Sequence, residues 1–187
     1  MSNKFSGVTF AKQKVTPIDS AIVQRSLLDD GILTGCDLSY AGFTVTMAGG
    51  QLLAAGRQLR HSGSESWSVA DASSGYARIV LTLDLSRSST PEAFDQAQIS
   101  VQYAASASGF PALVQEDINE AGTRYQVALA VVTLSSGGVT GIAERLPVAK
   151  PRGFGADPIV LTEGVHFGTS LPQPGTYGRL FFLISGG

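Results

Sequence analysis

The chain has 187 residues and a mass of 19.4 kDa, which fits one domain, or one domain with an arm, but not a multi-domain enzyme. Hydrophobic residues make up 43% and charged residues 15%, so the chain can bury a core and is not disordered as a whole. Its 13 Lys and Arg against 15 Asp and Glu give a net charge of −2, without a basic cluster. The electrostatic pattern of a nucleic-acid-binding protein is missing, and we expect no nucleic-acid partner.

The single cysteine, Cys36, excludes an internal disulfide framework and a multi-cysteine metal site. The longest apolar stretches, 127–134 and 180–184, are much shorter than the roughly 20 residues of a membrane-spanning helix. The first residues lack the apolar region of a secretion signal. We therefore expect a soluble protein with no membrane insertion and no cleaved leader.

The first predicted element is a helix from Thr16 to about Asp30. Thr16 suits the N-cap, Pro17 the first helical position, and Asp19 the electropositive first turn, with Gly31 as the stop. Apolar residues occupy two sides of this helix: Ile18, Ala21, Ile22 and Leu28 on one, Val23 and Leu27 on the other. This pattern predicts a helix packed on its own sheet, or alternatively one that a neighbouring subunit also covers.

After Gly31 the hydrophobic period changes from 3.6 to 2, which indicates strands. Short alternating segments are found at 36–40, 43–47 and 66–69. Two longer ones, 77–85 and 96–103, predict strands with one wet face and one core face, joined by a polar loop at 86–94 that suits antiparallel neighbours.

The segment 125–134 is apolar on both faces, which predicts a central strand, although the same residues also suit a buried helix. Residues 135–138 break it, and another short strand begins at 139. Strands separated by Gly- and Ser-rich turns predict a mainly β fold. We expect an antiparallel β-sandwich or jelly-roll-like domain with one N-terminal helix and a C-terminal β arm.

A Pro- and Gly-containing stretch at 150–153 predicts a domain edge. We predict a helix-plus-sandwich domain over 1–150 and an arm over 151–187 that is too short for a core of its own. The arm ends in five large apolar residues, which we take as candidate interaction residues: Leu180, Phe181, Phe182, Leu183 and Ile184. These residues either dock on the body of the same chain or form a sheet or intertwined core with other copies.

Familiar catalytic motifs are missing from the sequence: it has no G-x-S-x-G, no G-x-x-x-x-G-K-[ST], no H-E-x-x-H and no G-x-G-x-x-G after a strand. His61 lies in a loop-like segment and His166 far along the chain, so ordinary surface or hydrogen-bonding roles are favoured over a metal site. Cys36 alternates with apolar neighbours and is predicted to be a core residue. We therefore predict no catalytic residue, no cofactor, no metal and no enzyme activity.

Two weaker patterns leave alternatives open. Glu116, Asp117 and Glu120 share a polar loop, but loop spacing does not establish the carboxylate separation of a glycosidase, so a small hydrolase is disfavoured. Trp67 with Tyr76 or Tyr103 offers aromatic faces for a sugar, although aromatic residues alternating in strands are usually core residues.

The order of segments resembles a known group of proteins. Residues 28–33, which end the predicted helix, and the stretch Phe43 to Leu59 resemble the opening of tailed-bacteriophage and prophage baseplate or tail structural proteins, including the N-terminal domains of upper-baseplate proteins. The segments that follow are similar in order: Tyr76 to Leu85, Gln98 to Tyr103, a loop with Pro111-Ala112-Leu113, and Tyr125 to Val132. Residues 168–182 are similar to short elements at fibre and baseplate attachment points.

This resemblance, which covers about residues 16–146, implies a non-enzymatic virion protein. Such a protein would be an adaptor or assembly component of a phage tail, baseplate or fibre, assembled in the bacterial cytoplasm. It implies a homo-oligomer, with a trimer favoured, and other phage tail, baseplate or fibre proteins as partners. The alternative is a receptor- or glycan-binding module, or a capsid-decoration or head-fibre protein.

Overall fold

The computed structural model describes residues 16–70, 75–90 and 94–152, together with the backbone of two further strands at 165–168 and 180–183. The chain divides into two compact units, Met1–Pro151 and Arg152–Gly187, and the predicted domain edge lies after residue 150. The elements in chain order are α1 (Pro17–Leu27), β1 (Gly31–Gly35), β2 (Leu38–Ala41), β3 (Thr44–Met47), β4 (Gly50–Ala54), β5 (Arg57–His61), β6 (Glu65–Ser68), β7 (Tyr76–Asp84), β8 (Ala97–Ala104), β9 (Arg124–Ser135), β10 (Gly138–Arg145), β11 (Val165–Gly168) and β12 (Leu180–Leu183).

The first unit contains three antiparallel sheets, with strand orders β1-β4-β5, β2-β3-β6 and β10-β9-β7-β8. Buried residues from all three sheets form one hydrophobic cluster, which includes Val45 of β3, Leu52 of β4 and Ile79 of β7. The predicted mainly β, sandwich-like fold with one N-terminal helix is therefore confirmed. In the second unit, β11 and β12 form a parallel pair.

The two long alternating segments form strands, as the sequence predicts, and these are β7 and β8 of the four-stranded sheet. The segment that is apolar on both faces is a strand, β9, and not a helix, and β7 and β8 are antiparallel neighbours. One expectation is wrong: β7 has no wet face at its centre, because Val80 and Thr82 are buried along with Ile79 and Leu81.

The loop that follows β8 explains the burial of this second face of β7. Arg78 donates from Nη2 to the carbonyl oxygen of Pro111 at 2.5 Å, and its guanidinium lies over the ring of Phe110. Farther along, the amide of Gln126 bridges Thr82 and the backbone N–H of Val114, both at 3.0 Å. The loop therefore contacts residues on the outer face of this part of the sheet.

The predicted C-terminus of the helix is also wrong. α1 ends at Leu27, Leu28 is extended, and Gly31 opens β1 instead of stopping the helix. The backbone N–H of Asp29 donates to the carbonyl oxygen of Lys150 at 2.9 Å, which holds this stretch in an extended form. A Cβ on Gly31 would lie 2.6 Å from the carbonyl oxygen of Pro147, so the glycine permits a close backbone approach and has no capping role.

Candidate interaction surfaces

A capping box fixes the start of α1. The hydroxyl of Thr16 accepts from the backbone N–H of Asp19 at 3.3 Å, and the carboxylate of Asp19 accepts from the backbone N–H of Thr16 at 2.7 Å. These hydrogen bonds from Thr16 lower the pKa of Asp19, which therefore stays ionised at the positive end of the helix. The predicted N-terminus of the helix is confirmed.

The turn between β4 and β5 is the support on which α1 rests. Ala55 and Gly56 both have positive φ, 52° and 74°, as in a two-residue hairpin turn of type I′. A Cβ on Gly56 would collide with the carbonyl oxygen of Ala21 and lie 2.7 Å from the Cβ of Arg25. Ala21 is the only buried residue of α1, so the helix meets this turn through a small side chain.

The large apolar residues of α1 are exposed. Ile18, Ile22, Val23 and Leu27 are between 41% and 57% exposed, and we call these four residues the outer face of α1. The expectation that the apolar residues pack on the chain's own sheet is wrong for these four. At the close approach to Gly56, the residue of α1 that is buried is the small Ala21. The alternative, a helix that a neighbouring subunit covers, stays a prediction.

Hydrogen bonds with the side chains of Asp30 and Asn119 hold the β4–β5 turn in place. The carboxylate of Asp30 accepts from the backbone N–H of Ala55 at 2.8 Å and from the hydroxyl of Tyr125 at 2.7 Å. The amide of Asn119 donates to the carbonyl oxygen of Ala55 at 2.7 Å. Both backbone groups of a residue with positive φ are therefore satisfied by side chains from distant parts of the chain.

Two clefts lie beside the edge strand β5. One, of about 360 Å³, extends along α1 and is lined by apolar and amide side chains, among them Leu59, Leu83, Phe94 and Gln96. The other, of about 140 Å³, shares Leu59 and Phe94 and is also lined by Ala97 and Ile99. Phe94 is exposed although large and apolar. Sequence reasoning missed these clefts because β5 is not among the predicted strands.

The carboxylates of Glu116 and Asp117 form hydrogen bonds within their own loop, and Asp117 also binds α1. Glu116 accepts from the backbone N–H groups of Thr123 and Arg124 at 2.8 and 2.9 Å. Asp117 accepts from Arg25 of α1 at 2.9 Å and from the backbone N–H of Asn119 at 3.1 Å. Glu120 is exposed at the end of the same turn. Two of the three residues considered for hydrolysis therefore have structural partners.

The backbone hydrogen bonds from Thr123 and Arg124 lower the pKa of Glu116 below its ordinary value of 4.5. Its stabilising contribution is present above that ordinary value and is lost as the pH falls through the lowered one. We expect Glu116→Gln to be less stable than the parent at pH 7, with a smaller difference at pH 2.5. Urea unfolding of both proteins at both pH values tests this, and an equal difference at the two pH values contradicts it.

The other polar candidates have local partners or lie outside the described residues. His61 ends β5, instead of lying in a loop as predicted, and its Nε2 is 3.2 Å from a carboxylate oxygen of Glu65. Cys36 is 3% exposed, as expected of a core residue, and burial raises the pKa of its thiol. The described residues contain no group of three side chains that could hold a metal ion. His166 is in β11, where no side chain is described.

The aromatic candidates for sugar binding belong to the core or its margin. Trp67 of β6 is half-buried against the hydrophobic cluster and pairs with Val45 of β3. Tyr103 of β8 also packs against this cluster, and Tyr76 is half-buried at the start of β7. The structure therefore gives Trp67 and Tyr103 the packing role that is usual for alternating strand aromatics.

Of the candidate residues at the C-terminus, Leu180, Phe181, Phe182 and Leu183 form β12 and pair in parallel with Val165–Gly168 of β11. Their side chains, and the whole of Ile184, lie outside the described residues. Their role in interaction stays a prediction.

Comparison with known proteins adds no assignment. No protein-family model matches the chain, and a search of curated proteins gave no match. No described helix has both the length and the apolar character needed to cross a membrane.

Proposed function

We propose that this chain is a non-enzymatic structural protein that joins subunits of a larger particle, and specifically an adaptor or assembly component of a bacteriophage tail, baseplate or fibre. It acts as a homo-oligomer, with a trimer favoured, and contacts other tail, baseplate or fibre proteins of the virion. The observation that carries the proposal is the exposure of the four large apolar side chains that form the outer face of α1.

The energetics of this exposure favour a second covering layer. Fully burying a side chain such as Ile or Leu contributes about 1.5–3 kcal/mol, and roughly half of each outer-face side chain remains exposed. Covering Ile18, Ile22, Val23 and Leu27 would therefore contribute about 1 kcal/mol each. A surface helix normally places such residues against its own domain and polar ones outside. We infer that neighbouring copies of the chain cover the outer face of α1.

The phage assignment comes from the resemblance of the segments 28–33, 43–59, 76–85, 98–103, 111–113 and 125–132. The exposed apolar residues of α1 support only the joining role. The two parts therefore have separate tests. Immunogold electron microscopy of particles from the source culture should place label at one point of the tail. Labelled protein that is found only outside particles contradicts the virion assignment.

The joining role is tested by lysine substitutions on both sides of the outer face. Ile22 and Val23 are half-exposed, so Ile22→Lys with Val23→Lys should leave the unfolding midpoint of the separated chain nearly unchanged. In an assembly, the two charges would be buried without partners. We expect light scattering on the full chain to give an oligomer for the parent and a dissociation constant at least ten-fold higher for the variant.

Ser136→Lys is the matched control, because Ser136 is exposed in the β9–β10 turn and this variant adds the same type of charge elsewhere. It should keep the mass of the parent. A monomeric parent at tens of micromolar, or equal masses for all three proteins, contradicts the proposal.

A further inference from the structure

We infer that β8 is a second assembly surface, at which two copies of this chain pair their β8 strands antiparallel about a two-fold axis through Ser100. This surface is separate from the outer face of α1, so the inference does not depend on the covering of that helix. It would join the four-stranded sheets of two copies into one sheet of eight strands.

The first argument is that β8 lies at the edge of its sheet and that its outer side has no partner strand among those described. Among the described strands, β8 pairs with β7 alone, and the register between them has no bulge. The carbonyl oxygen of Gln96 accepts from the N–H of Asp84, so the backbone groups of even-numbered residues in β8 face β7. Those of Ala97, Ile99 and Val101 face away, and no hydrogen bond to them is found among the described residues.

The second argument is the contrast with the other sheet edges of the first unit. β10, at the opposite edge of the same sheet, is interrupted by two irregularities and carries Glu144 and Arg145. β5 carries two arginines and a histidine, and β2 and β6 have four residues each. The edge of β1 is bonded to residues 147 and 149. Bulges, charges, short length and coverage are the usual devices that block edge-to-edge pairing, and the described part of the chain shows none of them at β8.

The third argument is that β8 is complementary to itself. In the register centred on Ser100, Ile99 lies opposite Val101 of the second copy, and Gln98 lies opposite Gln102. Apolar residues meet on the core face and amides on the wet face, so the alternation of each strand is preserved. The strand itself contains no charged residue. About four main-chain hydrogen bonds would form between Ile99 and Val101 of the two copies.

The same register closes the adjoining cleft. Ala97 and Ile99 line the cavity of about 140 Å³, and Phe94 is exposed at its margin. Tyr103 of the second copy would lie opposite Ala97 on the core face of the joined sheet, so a large side chain meets a small one. A second copy therefore supplies both backbone partners for the edge and apolar cover beside Phe94.

A cysteine cross-link tests the two-fold register in the full chain. Ser100 is exposed, and across the axis its two copies would form a pair without hydrogen bonds, with Cα atoms about 4.5 Å apart, which suits a disulfide. We expect Ser100→Cys to give a covalent dimer as the main product under mild oxidation. The buried Cys36 does not compete.

Gln98→Cys is the matched control, because the two copies of residue 98 would be about 13 Å apart along the paired strands. It should give less than one tenth of the dimer that Ser100→Cys gives. Equal yields from the two variants, or no dimer from Ser100→Cys, overturn the inference.

Amide hydrogen exchange gives a second readout that needs no substitution. The N–H groups of Ile99 and Val101 should exchange at least ten-fold more slowly in concentrated than in dilute protein, while those of Ser100 and Gln102, which face β7, should not change. Protection of Ile99 and Val101 at every dilution would mean that the chain covers its own edge, which overturns the inference. Because the lysine variants of α1 report on another surface, either idea can fail while the other stands.

Discussion

Gly56→Ala should destabilise the protein by about 3 kcal/mol or more, since the new methyl group meets two separate penalties. The left-handed conformation at φ 74° costs a residue with a Cβ about 1–2 kcal/mol. The methyl group would also collide with the carbonyl oxygen of Ala21 and crowd the Cβ of Arg25, and overpacking costs about 1–3 kcal/mol. Thermal unfolding followed by circular dichroism should show a midpoint lower by roughly 6–12 °C.

Gly42→Ala separates the two penalties. Gly42 also has positive φ, 55°, but a Cβ there has no atom within 4 Å. This variant should lose only the conformational part, about 1–2 kcal/mol. Equal losses of stability in the two variants would contradict the close contact between Gly56 and α1. The comparison therefore measures the contact between Gly56 and α1.

The strands that the sequence predicts well are those whose side chains alternate against one core. In β3 and β8, apolar and polar residues follow each other in turn, and this pattern alone identifies a half-buried strand. β4 and β5 are not predicted, because β4 is buried along its last three residues and lacks alternation. Their turn, Ala55-Gly56, also lacks the Asn-Gly or Asp-Gly signal of a two-residue hairpin.

The orientation of α1 illustrates a different limit. Helical periodicity places Ile18 and Ile22 on one side and Val23 on another, but it does not say which side meets the body. That choice depends on Gly56, which is distant in sequence and matters because it lacks a side chain. Asp30 and Asn119 were missed for a similar reason, since their partner is the backbone of Ala55 and a single sequence carries no signal for such a contact.

Asp30→Ala is expected to cost about 2–4 kcal/mol, because it removes the acceptor of two hydrogen bonds at once. The N–H of the buried Ala55 and the hydroxyl of Tyr125 would each lose the partner that they have in the structure. An unsatisfied buried donor costs about 1–3 kcal/mol. Urea unfolding should therefore show a lower midpoint with an unchanged slope.

The contrasting substitution is Asp30→Asn, which keeps one oxygen for the N–H of Ala55 and offers an N–H to the hydroxyl oxygen of Tyr125. We expect this variant to lose about 1 kcal/mol or less. Tyr125→Phe should cost less in the Asp30→Ala background than in the parent, because the two side chains share one hydrogen bond. Additive losses would contradict that coupling. Because the turn that Asp30 holds also supports α1, Asp30→Ala should weaken self-association as well as folding, whereas Asp30→Asn should leave self-association unchanged.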